Sequence, residues 1–103
     1  MLDSALAIRS YLSGVNREAF LNNPEKQDAV LRRFEIIGEA SNRLSPSTRA
    51  LFPIIPFRSI RGMCNIIAHN YGHVDIQQVW ETASRDLETL IQPLQNYFEN
   101  QSS

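Results

Sequence analysis

Three polar side chains in the middle of the chain have a spacing that suits chemistry. Arg61, Asn65 and His69 follow one another at intervals of four residues, so a helix that turns about 100° per residue places them on one face. Histidine gains and loses a proton near neutral pH, because its unperturbed pKa is about 6.5. Arginine presents a planar fork that binds two phosphate oxygens at once. This face therefore predicts an anion site with an acid–base group.

Cys64 falls on a different face of the same helix, together with Ile60, Ile67 and Ala68. Helical periodicity alone predicts a core position for it. It is the single cysteine of the chain, so an internal disulfide is excluded, and we expect no metal centre and a reducing compartment. A nucleophilic role is disfavoured, because no base shares its face.

Positive charge is concentrated around this segment. Residues 40–74 contain no Asp or Glu but hold Arg43, Arg49, Arg58 and Arg61, while the whole chain has a net charge of -1. Such a distribution predicts a local anion site rather than a long electrostatic track. The alternative, that these are scattered surface arginines without a function, has equal weight from composition alone.

Length and composition predict one soluble domain. The 103 residues are 43% hydrophobic and 20% charged, which suits a single domain over residues 1–98 with a frayed tail at 99–103. No apolar run approaches the ~20 residues of a membrane span. The N-terminus lacks the pattern of a signal peptide, so we expect a cytoplasmic protein without membrane contact.

Three helices are predicted before the end of the polar segment. The first covers about residues 1–13 and stops at Gly14. The second covers residues 24–44, with Asn23 as its cap and Pro24 at its first position. The third begins at Pro56 and ends at His69, and residues 70–73 form a loop.

The last helix has the clearest start signal. Asp75 is a strong cap, and Gln78 three residues later completes a capping box. The apolar stripe then runs from Ile76 to Leu94, and Pro93 is expected to kink the helix or start a separate final turn. Four helices with short loops predict an all-α fold, an antiparallel four-helix up-and-down bundle with a short extra helix or turn at residues 45–52.

The segment from residue 62 to residue 75, G-M-C-N-I-I-A-H-N-Y-G-H-V-D, resembles the signature of HepT-like toxins, a branch of the HEPN superfamily of metal-independent ribonucleases. The motif of that family is an Arg, four to six residues, a His, any residue and a Tyr. His69 and Tyr71 match it, and Asn65 matches the polar residue that commonly follows the Arg. Cys64 stands where the family has the Arg, and Arg61 leaves seven residues before His69, outside the motif. Further similarity at residues 27–40, 74–75 and 79–80 extends the resemblance over nearly the whole chain.

The resemblance implies an endoribonuclease toxin with no cofactor. His69 would act as an acid or a phosphate-holding cation, Arg58 and Arg61 would bind RNA, and two subunits would face one cleft as a homodimer. It also implies a partner, a minimal nucleotidyltransferase antitoxin that transfers AMP to Tyr71 and so blocks the ribonuclease. A ring packed at the end of the helix, with its hydroxyl in water, is the alternative reading of Tyr71.

Cys64 leaves three accounts open. Arg61 supplies the charge from the adjacent turn, activity has been lost naturally, or the present chain carries a disabling substitution. We expect weak or absent cleavage for the chain as written, because a neutral thiol cannot hold phosphate. A non-catalytic HEPN module, which dimerises and binds its nucleotidyltransferase partner or a nucleotide, is the alternative function.

Other polar or aromatic residues have simpler readings. Glu35 and Glu39 are expected to pair with Arg32 and Arg43 on a solvated helix face. Trp80 is expected in the core or at a dimer interface rather than as a platform for bases. Asn65 is expected to orient the His69 ring across one turn, with simple surface coverage as the alternative.

Overall fold

The protein is built from helices. The computed structural model describes residues 1–69 and 75–102, and for positions 63, 65–69, 101 and 102 it describes the backbone only. Helix accounts for 81% of the residues, and the described part of the chain contains no strand. The predicted all-α class is confirmed.

Seven α-helices and one π-helical turn follow one another in the described ranges. The π turn covers Thr82–Asp86 and joins the last two helices without a break. The α-helices are α1 (Leu2–Tyr11), α2 (Arg17–Leu21), α3 (Pro24–Arg43), α4 (Pro46–Ala50), α5 (Phe57–His69), α6 (Ile76–Glu81) and α7 (Leu87–Ser102).

Side-chain caps begin the helices where the sequence predicts them. The Asn23 side chain accepts a hydrogen bond from the Lys26 amide at 3.0 Å, with Pro24 as the first residue of α3. Asp75 accepts from the amides of residues 77 and 78 at 3.0 and 3.4 Å. Each cap satisfies an amide that has no partner within its helix. The Gln78 side chain donates to Thr82 at 3.5 Å, and the return bond of the predicted capping box is not among the described hydrogen bonds.

The first loop contains a helix that the sequence analysis missed. Helix α1 ends at Tyr11, and Gly14 adopts a φ of 73°, the left-handed conformation that glycine tolerates best. Helix α2 follows, and its cap Asn16 accepts from the Ala19 amide at 2.8 Å. Five residues are too few for apolar periodicity to detect, although a capping Asn was a usable signal.

One of the two alternatives predicted for Pro93 is excluded by the structure, and the kink stays a prediction. Helix α7 runs continuously through Pro93 to Ser102, so no separate final turn begins there. The irregular segment is the π turn instead, where the Ser84 hydroxyl donates to the Trp80 carbonyl at 2.7 Å. A hydroxyl bond of this kind satisfies a carbonyl where the regular helical ladder is disturbed. Fraying of residues 99–103 stays a prediction.

Helix α3 is central to the packing. It contacts α1 and α5, and α1 in turn contacts α7. Trp80 is partly buried and packs against the buried Phe20 ring with 5.4 Å between centroids, which agrees with its predicted place at the core, and the predicted alternative of a dimer interface stays a prediction. The four-helix up-and-down arrangement stays a prediction. The largest fully buried apolar side chains are Phe20, Ile8, Ile37, Ile91, Val30 and Val79.

Candidate functional site

Helix α5 carries the predicted polar face. Because α5 is continuous from Phe57 to His69, the backbone positions 61, 65 and 69 lie on one side of it. The structure describes the side chains of Arg58, Arg61 and Cys64 on this helix. The side chains of Asn65 and His69, and the whole of Tyr71, lie outside the described residues, so their predicted roles stay predictions.

Arg61 is attached to the neighbouring helix. Its Nε donates a hydrogen bond to Asn42 Oδ1 at 2.7 Å, near the end of α3. Position 69 is eight residues further along α5, a rise of about 12 Å, whereas position 64 is only about 7.5 Å from position 69. The Asn42 bond therefore argues against the account in which Arg61 takes the place of the motif Arg. In this position the Arg61 side chain is placed to contact a phosphate at the N-terminal half of α5.

Cys64 is buried between α5 and α3, as periodicity predicted. It is 4% exposed, and its Sγ donates to the Phe34 carbonyl at 2.9 Å. A Cβ added at Gly38 would lie 2.5 Å from the Cys64 Cβ and 3.1 Å from its Sγ. Atoms do not approach so closely, so Gly38 leaves the gap on α3 that a side chain at position 64 requires.

The Cys64 thiol is uncharged at neutral pH. Burial raises its pKa from 9.0 to about 11, the hydrogen bond with the Gly38 backbone offsets part of that rise, and the Glu35 carboxylate adds to it. A protonated thiol neither holds phosphate nor acts as a nucleophile. The motif position thus contributes no charge.

The described charged side chains of α5 itself are Arg58 and Arg61. Arg58 is exposed one turn before Arg61.

Glu35 pairs with Arg32 at 3.1 Å, which confirms one of the two predicted pairs on α3. A pair between Glu39 and Arg43 is not among the ion pairs of the described residues.

Gly38 and Asn42 are two α3 residues that contact α5, and neither was predicted from the sequence. They are four residues apart and so share one face of α3. Within the described ranges no group of three or more His, Cys, Asp and Glu side chains converges on a point. None of the described helices is long and apolar enough to cross a membrane.

A profile of the Ribonuclease HepT-like family matches residues 1–97. The chain belongs to this family. The predicted membership of the HEPN superfamily is confirmed. The matched residues include both α3 and α5, and Arg61 and Cys64 lie on α5.

Similar proteins carry ribonuclease names. A Thermococcus cleftensis protein named as a probable ribonuclease HepT is 38% identical over 73 residues, which cover 71% of this chain and 66% of that protein. A candidate RNase of Methanocaldococcus jannaschii is 36% identical over 80 residues, covering 78% of this chain and 69% of its own. Another from that organism is 32% identical over 87 residues, covering 84% and 80%. No solved structure matches the chain.

Proposed function

We propose that the chain is an endoribonuclease toxin of a bacterial or archaeal toxin–antitoxin system, in which His69 cleaves RNA without a metal and cleavage is weak. Family membership supports the RNA substrate. The observation that carries the weak cleavage is the position of Cys64, a neutral thiol turned into α3 beside Gly38. The fixed positive charge that the family motif implies at this position is missing.

Cleavage of this kind uses the RNA's own 2′-hydroxyl. A base takes the proton of that hydroxyl, its oxygen attacks the adjacent phosphorus, and the bond to the 5′-oxygen breaks as that oxygen receives a proton. His69 is the last residue of α5, and the negative end of the helix dipole favours its protonated form. We assign His69 as the acid that protonates the leaving oxygen.

The arginines of α5 bind flanking phosphates in this proposal. Arg58 is exposed, and the Asn42 bond uses only the Nε of Arg61. The two terminal nitrogens of Arg61 can then form a paired contact with one phosphate. Neither arginine replaces the missing charge at position 64. We therefore expect the chain to bind RNA but to cleave it slowly.

Substitution of Cys64 tests the proposal. We expect Cys64→Arg to raise RNA cleavage at least tenfold, which is about 1.4 kcal/mol of transition-state stabilisation. The matched control is Cys64→Gln, which adds similar length without charge and should leave cleavage unchanged. His69→Ala should abolish cleavage in the Cys64→Arg background. Cleavage of a labelled RNA is measured, with circular dichroism to verify that each variant folds.

Two results would contradict the weak-cleavage proposal. If the unmodified chain already cleaves RNA and Cys64→Arg changes nothing, while Arg61→Ala abolishes cleavage, then Arg61 supplies the charge. If folded wild-type and Cys64→Arg proteins both fail to cleave, the chain is not a ribonuclease.

The proposal includes two protein partners. A second copy of the chain would bring its four central arginines to the same cleft, and a minimal nucleotidyltransferase would transfer AMP from ATP to the Tyr71 hydroxyl with release of pyrophosphate. Incubation with such an enzyme and labelled ATP should label the wild-type chain but not Tyr71→Phe. Both partners and the RNA point to the cytoplasm as the place of action.

The second candidate is a non-catalytic HEPN module that dimerises and binds its nucleotidyltransferase partner or a nucleotide. The buried, uncharged Cys64 favours it, because this position supplies no phosphate-binding charge. Loss of all cleavage with partner binding intact distinguishes it from the first candidate.

A further inference from the structure

An exposed apolar surface lies beside the start of α5. We call it the apolar shelf, formed by Leu51, Pro53, Ile54, Tyr97 and Phe98. Leu51 is 59% exposed, Ile54 76% and Phe98 51%. A shallow cleft of about 240 Å³ runs between the segment after α4 and the C-terminal half of α7. Surfaces of this kind on soluble proteins usually mark binding sites.

Aromatic rings fix one side of the shelf. Tyr97 packs edge-on against the buried Phe52, with 5.1 Å between centroids and 68° between planes. Phe98 packs in the same way against Tyr97, at 5.5 Å and 77°. The aromatic series thus leads from the core to the surface, where half of Phe98 stays exposed.

Two arginines are close to the shelf along the chain, on the side that leads into α5. Arg49 lies two residues before Leu51, and Arg58 lies four residues after Ile54. The described residues from 40 to 69 include no carboxylate, and Glu99 is the acidic residue next to Phe98 at the far edge. Arg58 lies one helical turn before Arg61 on α5, and because it follows Ile54 by four residues, the Cα atoms of Arg58 and Ile54 are at most about 14 Å apart.

We propose that the apolar shelf binds unpaired bases of the RNA whose phosphates contact Arg58 and Arg61. This inference rests on the proposed function and assigns to the shelf the binding of bases next to that site. A cationic track beside exposed aromatic and apolar side chains suits single strands, because every unpaired base has a flat face to stack. In a duplex the bases are stacked inside the helix, so their flat faces are not available to contact the shelf.

Binding measurements with the non-cleaving His69→Ala protein test the inference. The probes are an unstructured 12-nucleotide RNA, an abasic oligomer of equal length and charge, and the duplex form. We expect Phe98→Ala and Ile54→Ser each to weaken binding of the intact RNA at least about fivefold by fluorescence anisotropy. Neither should change binding of the abasic oligomer, and the duplex should bind more weakly than the single strand.

Charge variants provide the matched controls. Arg58→Ala should weaken the intact and abasic oligomers alike and reduce the salt dependence of binding. Arg85→Ala removes an exposed arginine on the π turn, about 18 Å along the helix from Tyr97, and should have a smaller effect. Circular dichroism verifies that the shelf variants fold.

The possible results separate the two proposals. If Arg58→Ala weakens RNA binding while Phe98→Ala and Ile54→Ser do not, the base-binding shelf is wrong, the proposed function stands, and the surface belongs to a protein or a second copy. If the intact RNA does not bind even at low salt, the proposed ribonuclease function fails together with the shelf.

Discussion

The thiol of Cys64 keeps its proton because it faces α3 rather than water. Its hydrogen bond to the Phe34 carbonyl satisfies the sulfur inside the protein, and burial raises its pKa to about 11. Position 64 therefore carries a neutral group that fills a space between two helices, at the place where the family resemblance implies an arginine. Its effects on activity and on stability can be measured separately.

At the residue scale, we expect the free energy of unfolding to fall as the pH rises from about 9 to about 11. The thiol has a pKa near 9.0 when exposed and about 11 when folded, so in this range the unfolded chain releases a proton that the folded chain keeps. Ionisation then favours the unfolded state, by about 1.4 kcal/mol for each unit between the two pKa values.

Urea unfolding of the wild-type chain and of Cys64→Ala at several pH values measures this effect. The variant keeps the tyrosines and the lysine that also titrate here, so the difference between the two curves isolates the thiol. Below pH 9 the difference should be constant. Parallel curves up to pH 11 would show that the folded thiol is not protected.

At the element scale, two of the contacts between α3 and α5 involve Cys64 and Arg61. The gap at Gly38 accepts Cys64, and the Asn42 side chain holds Arg61. The first contact limits how closely the helices approach, and the second holds the half-buried Arg61 side chain against the end of α3. The presentation of the polar face depends on both.

Two glycines in these helices should respond oppositely to alanine. Gly38→Ala puts a Cβ into contact with Cys64 and should lower the free energy of unfolding by about 1 to 3 kcal/mol. Gly62→Ala meets no atom within 4 Å and should raise it by about 0.5 to 1 kcal/mol, because alanine favours helix. Denaturant unfolding measures both.

The double variant Gly38→Ala with Cys64→Gly is the control for the contact. It moves the single Cβ from α5 to α3, so it should recover part of the stability that Gly38→Ala loses. A Gly38→Ala protein as stable as the wild type would show that the helices do not pack at this distance.

Local signals predicted the elements well where they were strong. Asn23 with Pro24 and the cap at Asp75 fixed two helix starts, since a cap is decided by neighbouring residues alone. The long-range partners Gly38 and Asn42 could not be predicted, because contact between helices depends on rotation and approach that periodicity leaves open. At Pro93 the sequence left a kink or a new turn open, and helix α7 continues through this residue, so no separate turn begins there.

At the scale of the whole molecule, the proposed site needs a second copy of the chain. We expect a particle of twice the 11.8 kDa chain mass in sedimentation equilibrium at micromolar concentration. A net charge of -1 causes little repulsion between copies, and the arginines of both would then face one RNA. Specific activity of the Cys64→Arg protein should rise with protein concentration as dimers form. Full activity at concentrations where the chain is monomeric would contradict a shared site.

Because the single cysteine is buried between α3 and α5, its reaction with thiol reagents can report how often these two helices separate. Thiol reagents reach Cys64 only when α5 separates from α3, since the side chain is 4% exposed in the closed state. The rate of its modification therefore measures the opening equilibrium of that helix pair without any introduced label. RNA that binds Arg61 and strengthens its contact with Asn42 on α3 would slow this rate, so the same thiol allows ligand binding to be followed in the unmodified protein.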